Sequence, residues 1–584
     1  MNLPPLASTR LLIVALLATG CAAPTADRPT AGSTEVEAAL ARIEPGMIRG
    51  HLQFLSDDLL RGRDTGDVGY ELATRYVAAQ FARIGLQPID GASYLQPVEL
   101  LEAGEDHGSS LEVSGLRFGN SDAVFMPDWT GDRPEISGEG VFVGYGLPVE
   151  GREDYGELDV EGAVVFVLSG SPAGWTEDRD RFHLTRLQAE IAYRRGAAAV
   201  VQIPTAANTA QARAGFERRL ASRRPVRSLA DGTAASFRAE AALGPAAAER
   251  LWQAWGLTRD EAIELAEAGT GARTVGGTVG PVTLVRDREV RPGRSWNVMG
   301  VLPGSDPAVA DEIVLMTSHL DHVGIGEPDE NGDAIYNGAH DNAVGVARTL
   351  AAAEALSTLS PRRAIGFLAV GAEEGGLLGS WHYVRNPVVP IENTVAAINQ
   401  DGGLAAAPPT DDVVAFGDQM SSELRQALAD AAEANGMRYV VERTEPFGPS
   451  QMLLFRSDHY SFLLAGVPAL SPMPGFTIDG DPEAGRELWR DYLARINHRQ
   501  RDNYDPEWKL ESPVNMATLA ARLAWDLAHA AEMPGIDADA PMWRARKSPD
   551  HPWFLGDGSP QLDDLKRTAP GAISDPLAPA TRAR

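Results

Sequence analysis

The stretch Ile313-Val314-Leu315-Met316-Thr317-Ser318-His319-Leu320-Asp321-His322 runs from four aliphatic side chains straight into polar chemistry. The pattern returns twice. Ile365-Gly366-Phe367-Leu368-Ala369-Val370 leads into Glu373-Glu374, and Val395-Ala396-Ala397-Ile398 leads into Gln400-Asp401. Short uninterrupted apolar runs suit parallel strands buried on both faces. In open α/β sheets, ligands collect beyond the carboxyl ends of such strands. The spacing therefore predicts an α/β fold in which His319 and these acids converge on one edge of a sheet. Between the first two runs lies Gly338-Ala339-His340-Asp341-Asn342-Ala343-Val344-Gly345, followed by a helical pattern through Leu356. Asp341 thus stands where a loop enters a helix, a place that a plain capping residue also fills. A late loop, Ile496-Asn497-His498-Arg499-Gln500-Arg501-Asp502-Asn503-Tyr504, adds one more histidine.

Outward from this region, residues 291–534 read as the most regular part of the chain, with buried-strand runs alternating with helical patterns. Residues 37–136 read as the start of the same domain. There Tyr70, Ala73, Val77, Phe81 and Ile84 share one helical face and Gly85 supplies the stop. Residues 137–290 read as a separate, smaller insert of short apolar runs (Val141 to Val143, Ala163 to Leu168, Ala197 to Ile203) and a helical pattern from His183 to Arg195. Residues 535–584, rich in Pro, Asp and Ala, read as an irregular tail.

The chain has 584 residues and a formal net charge of −29, which opposes binding to phosphate backbones and excludes nucleic acid as a partner. Its one cysteine, Cys21, excludes an intramolecular disulfide. Arg10, the apolar run Leu11 to Leu17 and the small residues Ala18-Thr19-Gly20 before Cys21 have the layout of a secretory signal over residues 1–20. The run is too short to span a bilayer. Gly20-Cys21 resembles the lipobox of bacterial lipoproteins, although Ala18 stands where leucine is usual. Residues 21–36 then read as a flexible tether, and the expectation is a periplasmic or cell-surface lipoprotein anchored through Cys21.

Taken in order, His319-x-Asp321, Gly338-x-x-Asp341-x-x-x-Gly345, Glu373-Glu374, Asp401 and His498 resemble the zinc exopeptidases of the bacterial leucyl aminopeptidase type, a family that includes glutamate carboxypeptidase II and the transferrin receptor. His51 to Arg63, Asn297 to Pro307, Arg456-Ser457-Asp458-His459 and Gly466-Val467-Pro468 extend the resemblance over about 45–534. It implies a mixed, largely parallel sheet flanked by helices, with an insert similar to a protease-associated domain. It also implies two zinc ions: Asp341 bridging, His319 and Asp401 completing one site, Glu374 and His498 the other. Glu373 is then the general base and acid, and Asp321 orients His319 by hydrogen bonding to its free ring nitrogen. Peptides are the implied substrates, with an aminopeptidase favoured over a carboxypeptidase or dipeptidase. The chain departs from its relatives at Asn497, where a tyrosine is frequent, at His340, where a second Asp is common, and at Asn342, where some aminopeptidases place a carboxylate.

Other readings use the same residues. Ser318, His319 and Asp321 are too close in sequence for a serine triad, which is assembled from separate segments, and no Gly-x-Ser-x-Gly elbow is present. His-Glu-x-x-His is absent. Asp329, Asn331 and Asp333 hint at a calcium loop, but Ala334 replaces its turn glycine. A receptor-like binding module is expected to lack ligands, and glutaminyl cyclases resemble a one-zinc site; the complete five-ligand set favours hydrolysis over both.

Overall fold

The computed structural model describes residues 33–540, apart from 90, 130, 132, 148–153, 157, 173–183, 222–225, 231–238, 269–277, 442–455 and 539. The signal segment and Cys21 lie outside the described residues. Helix Ser33–Leu40 begins inside the stretch read as tether and buries Val36, Ala39 and Leu40.

The main sheet has ten strands. Five of its members frame the site: β1 (Leu95–Asp106), β2 (Arg288–Leu302), β3 (Ile313–His319), β4 (Ala364–Val370) and β5 (Thr394–Asn399). β3 pairs in parallel with β4 on one side and β5 on the other. β5 continues in parallel to Ala469–Pro474, while β2 and Asp412–Phe416 add antiparallel partners on the two flanks. The sheet is therefore mixed with a parallel centre. Every residue of β3, β4 and β5 is buried, as the unbroken apolar runs require.

Helices cover both faces. α1 (Pro45–Leu55), α2 (Val68–Arg83), α3 (Val344–Leu356) and α4 (Glu511–His529) pack into one continuous core with the sheet. α3 is buried along almost its whole length because α1 and α4 press on it from outside. In α2 the face read from the sequence is the buried one (Tyr70, Ala73, Val77 and Phe81), and Gly85 closes the helix with φ +80°. None of the described helices is long and apolar enough to cross a membrane.

A second sheet of eight strands has its own core. Its parallel centre consists of Glu135–Phe142, Val164–Leu168 and Ala199–Ile203, the strands expected from the sequence. Ser110–Val113, Leu116–Phe118 and Ala123–Phe125 also belong to it, so the boundary read at 137 falls inside this sheet. The reason is long-range pairing: Ser110–Val113 bonds to Thr278–Val285, some 170 residues later. β1 and β2 form the ribbon through which the chain enters and leaves this unit, and Arg227–Leu229 crosses back to pair antiparallel with β1. The tail read as irregular begins with order, since Asp537 accepts from Ser422 N at 2.9 Å and Ile536 and Ala540 pack into the core.

His51 of α1 is buried, with Nδ1 2.8 Å from the Tyr76 hydroxyl. Burial lowers its pKa from 6.5 to about 4, with Glu354 opposing and Arg83 adding to the shift. The unfolded chain therefore binds more protons between these values, and the stability due to neutral His51 is complete above pH 6.5 and lost as pH falls through about 4. The full span is worth up to about 3 kcal/mol. In urea unfolding from pH 7.5 down to 4.5, His51→Gln is expected to lose less stability than the parent chain; parallel losses would show that His51 charges without cost.

Candidate metal centre

The carboxyl ends of β3, β4 and β5 bring the sequence-predicted residues together. His319 is the last residue of β3, Glu373 and Glu374 follow β4, and Asp401 follows β5. Asp341 comes from the irregular turn Ala339–Ala343 that opens into α3. His498 follows the helix Pro482–Arg495. Two corners turn through left-handed backbone, Ala372 at φ +57° and His498 at φ +54°. That conformation costs a side-chain-bearing residue about 1–2 kcal/mol and is retained where it re-aims a chain.

One oxygen of Asp341 faces each half of the site. Oδ1 lies 3.1 Å from His319 Nε2, and Oδ2 lies 2.9 Å from His498 Nε2. Asp401 Oδ1 is 3.0 Å from His319 Nε2, and Glu374 Oε1 is 3.2 Å from His498 Nε2. Zinc holds nitrogen and oxygen donors at about 2.0–2.2 Å, which sets neighbouring donor atoms roughly 3 Å apart. The five side chains thus bring their donor atoms to metal-ligand spacing, and a histidine and carboxylate donor set suits zinc.

Asp321 does its work differently from the expectation. Its backbone carbonyl, rather than its carboxylate, accepts from His319 Nδ1 at 3.1 Å. The carboxylate instead accepts from the N–H groups of Glu373 at 3.0 Å and Glu374 at 3.3 Å, and from Thr65 Oγ1 at 3.3 Å. It fastens the corner that carries Glu373 and Glu374 because strand-end geometry aims the Asp321 side chain across to that corner while its carbonyl meets the imidazole.

Several supports were not assigned from the sequence. Asp502, fully buried, accepts from His340 N at 2.8 Å, His340 Nδ1 at 2.8 Å and Asp341 N at 3.1 Å. His340, in place of an acid, is thus one end of a clamp on the Asp341 turn. Asn342 spends its amide on backbone: Nδ2 donates to Gln400 O, and Oδ1 accepts from Gly345 N and Gly402 N. It ties the end of β5 to the start of α3. Asn497 Nδ2 donates to Asp341 Oδ2 at 3.1 Å and lies 3.3 Å from the Tyr492 hydroxyl. The one sequence signal for Asp502 is an acid four residues beyond His498 in a loop otherwise rich in Arg and Asn.

The electrostatics follow from crowding acids in a dry site. Burial alone would lower the His319 pKa, but Asp401, Glu373 and Asp341 raise it well above the usual value. Burial works against ionisation of Asp341, yet hydrogen bonds from His319 and His498 hold its carboxyl well below the ordinary range. Glu373 moves the other way. Burial pushes it well up, His319 opposes, and Asp401, Asp458 and Glu374 reinforce the rise.

Asp502→Asn replaces an all-acceptor group with an amide that cannot satisfy three N–H donors. Outer partners of this kind typically tune metal affinity by about 10–100-fold. Competition with a chromogenic chelator is expected to show that loss in Asp502→Asn; unchanged affinity would mean that the Asp341 turn holds its shape unaided.

The chain is similar to several known proteins. Residues 297–524 match the model of Peptidase family M28. A probable leucine aminopeptidase 2 from Aspergillus fumigatus is similar at 29% identity over 184 residues, 31% of this chain and 34% of that protein. A probable leucine aminopeptidase 2 from Aspergillus oryzae is similar at 28% identity over 210 residues, 35% of this chain and 37% of that protein. The chain thus spans about a third of the length of these curated relatives. Among solved structures, an aminopeptidase from Aneurinibacillus sp. strain AM-1 overlies 87% of this chain and 100% of its own, at 20% identity and a TM-score of 0.48. The segment that carries the whole candidate centre lies within residues 297–524, the part of the chain that is similar to Peptidase family M28.

Proposed function

We propose that the protein is a two-zinc aminopeptidase that removes residues from the amino end of peptides. The observation that carries this reading is the position of Asp341, whose two oxygens face His319 and His498 separately. His319 and Asp401 hold one ion, Glu374 and His498 the other, and Asp341 both. Zinc, when bound, supplies a Lewis acid that polarises the scissile carbonyl and makes water acidic near neutral pH. Glu373 takes the proton of the attacking water on a carboxylate oxygen and returns it to the leaving amine nitrogen. Burial, reinforced by Asp401, Asp458 and Glu374, raises its pKa, which favours a carboxylate that takes up a proton. Asp321 keeps that carboxylate in place through the Glu373 N–H.

Preference for the amino terminus draws on the leucine aminopeptidase names of the curated relatives. The amide of Asn342 is sequestered, so the substrate amine is held elsewhere, and Glu373 is the nearest candidate. A panel of free and N-acetylated dipeptides tests this: free-amine substrates are expected to be cleaved and blocked ones spared, and the opposite pattern would make the enzyme a carboxypeptidase or dipeptidase. The second sheet is read as a protease-associated domain, and the chain as an exported protein held to a membrane by lipid on Cys21. Each buried lipid methylene contributes about 0.8 kcal/mol. Cys21→Ser is expected to move the protein into the soluble fraction; membrane retention in the variant would exclude the anchor.

The neighbours Glu373 and Glu374 are expected to fail differently. Glu373→Gln keeps shape but removes the base, so turnover should fall about 10²–10⁴-fold with both zincs retained. Glu374→Gln offers a neutral amide in place of a carboxylate and should lose one zinc. Zinc content and turnover measured together decide the roles, and a Glu373→Gln protein short of one zinc would reverse them.

A further inference from the structure

His322 stands at this centre without a role in the five-donor set. Its side chain is fully buried, and neither ring nitrogen makes a hydrogen bond among the described residues. A buried polar atom left unpaired costs about 1–3 kcal/mol, and while Nδ1 has Glu374 within ion-pair distance, Nε2 has no hydrogen-bond partner among the described residues. The ring is held firmly. His322 N donates to Arg63 O at 3.2 Å. Its Cγ and Cδ2 lie against Gly338, where an added Cβ would come within 2.6 Å and 2.5 Å of them. Gly338 has φ +58° and leaves the space that the imidazole fills.

The held ring aims at the Glu374 half of the site. Nδ1 lies 2.8 Å from Glu374 Oε1, a hydrogen-bond distance without hydrogen-bond geometry. Two potential ligand atoms that close can face a common point, as ligands of one cation do. His322, Asp341 and Glu374 each offer a ligand atom within 4.8 Å of the other two, as His319, Asp341 and Asp401 do on the opposite side. The His498 ring stands edge-on to His322 with centroids 5.6 Å apart, so two imidazoles flank Glu374.

We propose that His322 is a further nitrogen donor to the ion held by Asp341, Glu374 and His498, an inference that rests on the two-zinc reading above. The centre is then asymmetric: one ion has one imidazole and two carboxylates, and the other has two imidazoles and two carboxylates. The second site is the tighter and fills first.

The test uses the full chain, stripped of metal and titrated with zinc against a chromogenic chelator, with cobalt(II) as a spectroscopic substitute. The parent should bind two ions in two steps. His322→Phe keeps the ring's bulk and removes both nitrogens, so the tighter step should weaken by at least about 10-fold. The d–d absorption of cobalt at that site should change in energy and intensity. Melting of the metal-free variant checks that it folds, and His322→Asn, smaller and polar, repeats the measurement if the phenyl ring is not tolerated. Unchanged affinity in a folded variant overturns the proposal. A weakened step with an unaltered cobalt spectrum also overturns it, because His322 would then only position Glu374. A parent chain that binds no zinc fails at the earlier reading, before His322 is in question.

Discussion

Repulsion among the acids of one pocket is the constraint on which the rest of the structure depends. Asp321, Asp341, Glu373, Glu374, Asp401, Asp458 and Asp502 gather where the strands end, and several are removed from water almost completely. Taking ionised groups out of water costs several kcal/mol each unless opposite charge meets them. Two buried guanidiniums lie near, but their N–H groups are turned to backbone. Arg63 donates to the carbonyls of Leu55, Leu320, Asn337 and Gly338, and Arg348 to that of Gly402. They steady the loops and leave the carboxylate lone pairs of the centre open to a cation.

The fold tolerates this concentration because the acids are delivered from several separate elements. Parallel pairing of β3 with β4 and β5 fixes the three strand ends side by side. The acids that are not ligands are also employed. Asp321 and Asp502 accept backbone N–H groups from the corners that carry Glu373, Glu374 and Asp341. Asp458, raised to about 7 mainly by burial, accepts from Ser380 at 2.6 Å. Charge inside the pocket is thus divided between groups aimed inward and groups that clamp the frame.

What was legible in the sequence was whatever a short window contains. The unbroken runs of β3, β4 and β5 announce strands buried on both faces, and metal-capable residues at their ends announce an edge site. The face of α2 is equally local. What escaped depends on atoms that a residue name does not distinguish. Asp321 was read as a side chain acting on His319, yet its carbonyl makes that contact and its carboxylate reaches across to the corner that carries Glu373 and Glu374. Asn342 was read only as standing where some relatives place a carboxylate, and three backbone groups from two segments claim its amide. The start of the second sheet was misplaced because Ser110–Val113 is a strand only by virtue of Thr278–Val285, and no window of sequence holds both.

The ribbon of β1 and β2 has a consequence for how the molecule comes apart. The strand Arg227–Leu229 returns from the second unit to pair antiparallel with β1, and Arg227 joins Asp64 at 2.9 Å and Glu102 at 2.9 Å. Asp64 is the neighbour of Arg63, which braces the metal-binding loops. The two sheets are therefore not beads on a string that melt independently. Fraying of the ribbon frees an edge strand and takes the Arg227 guanidinium from Asp64 and Glu102, which links the second sheet to the corner that carries Arg63.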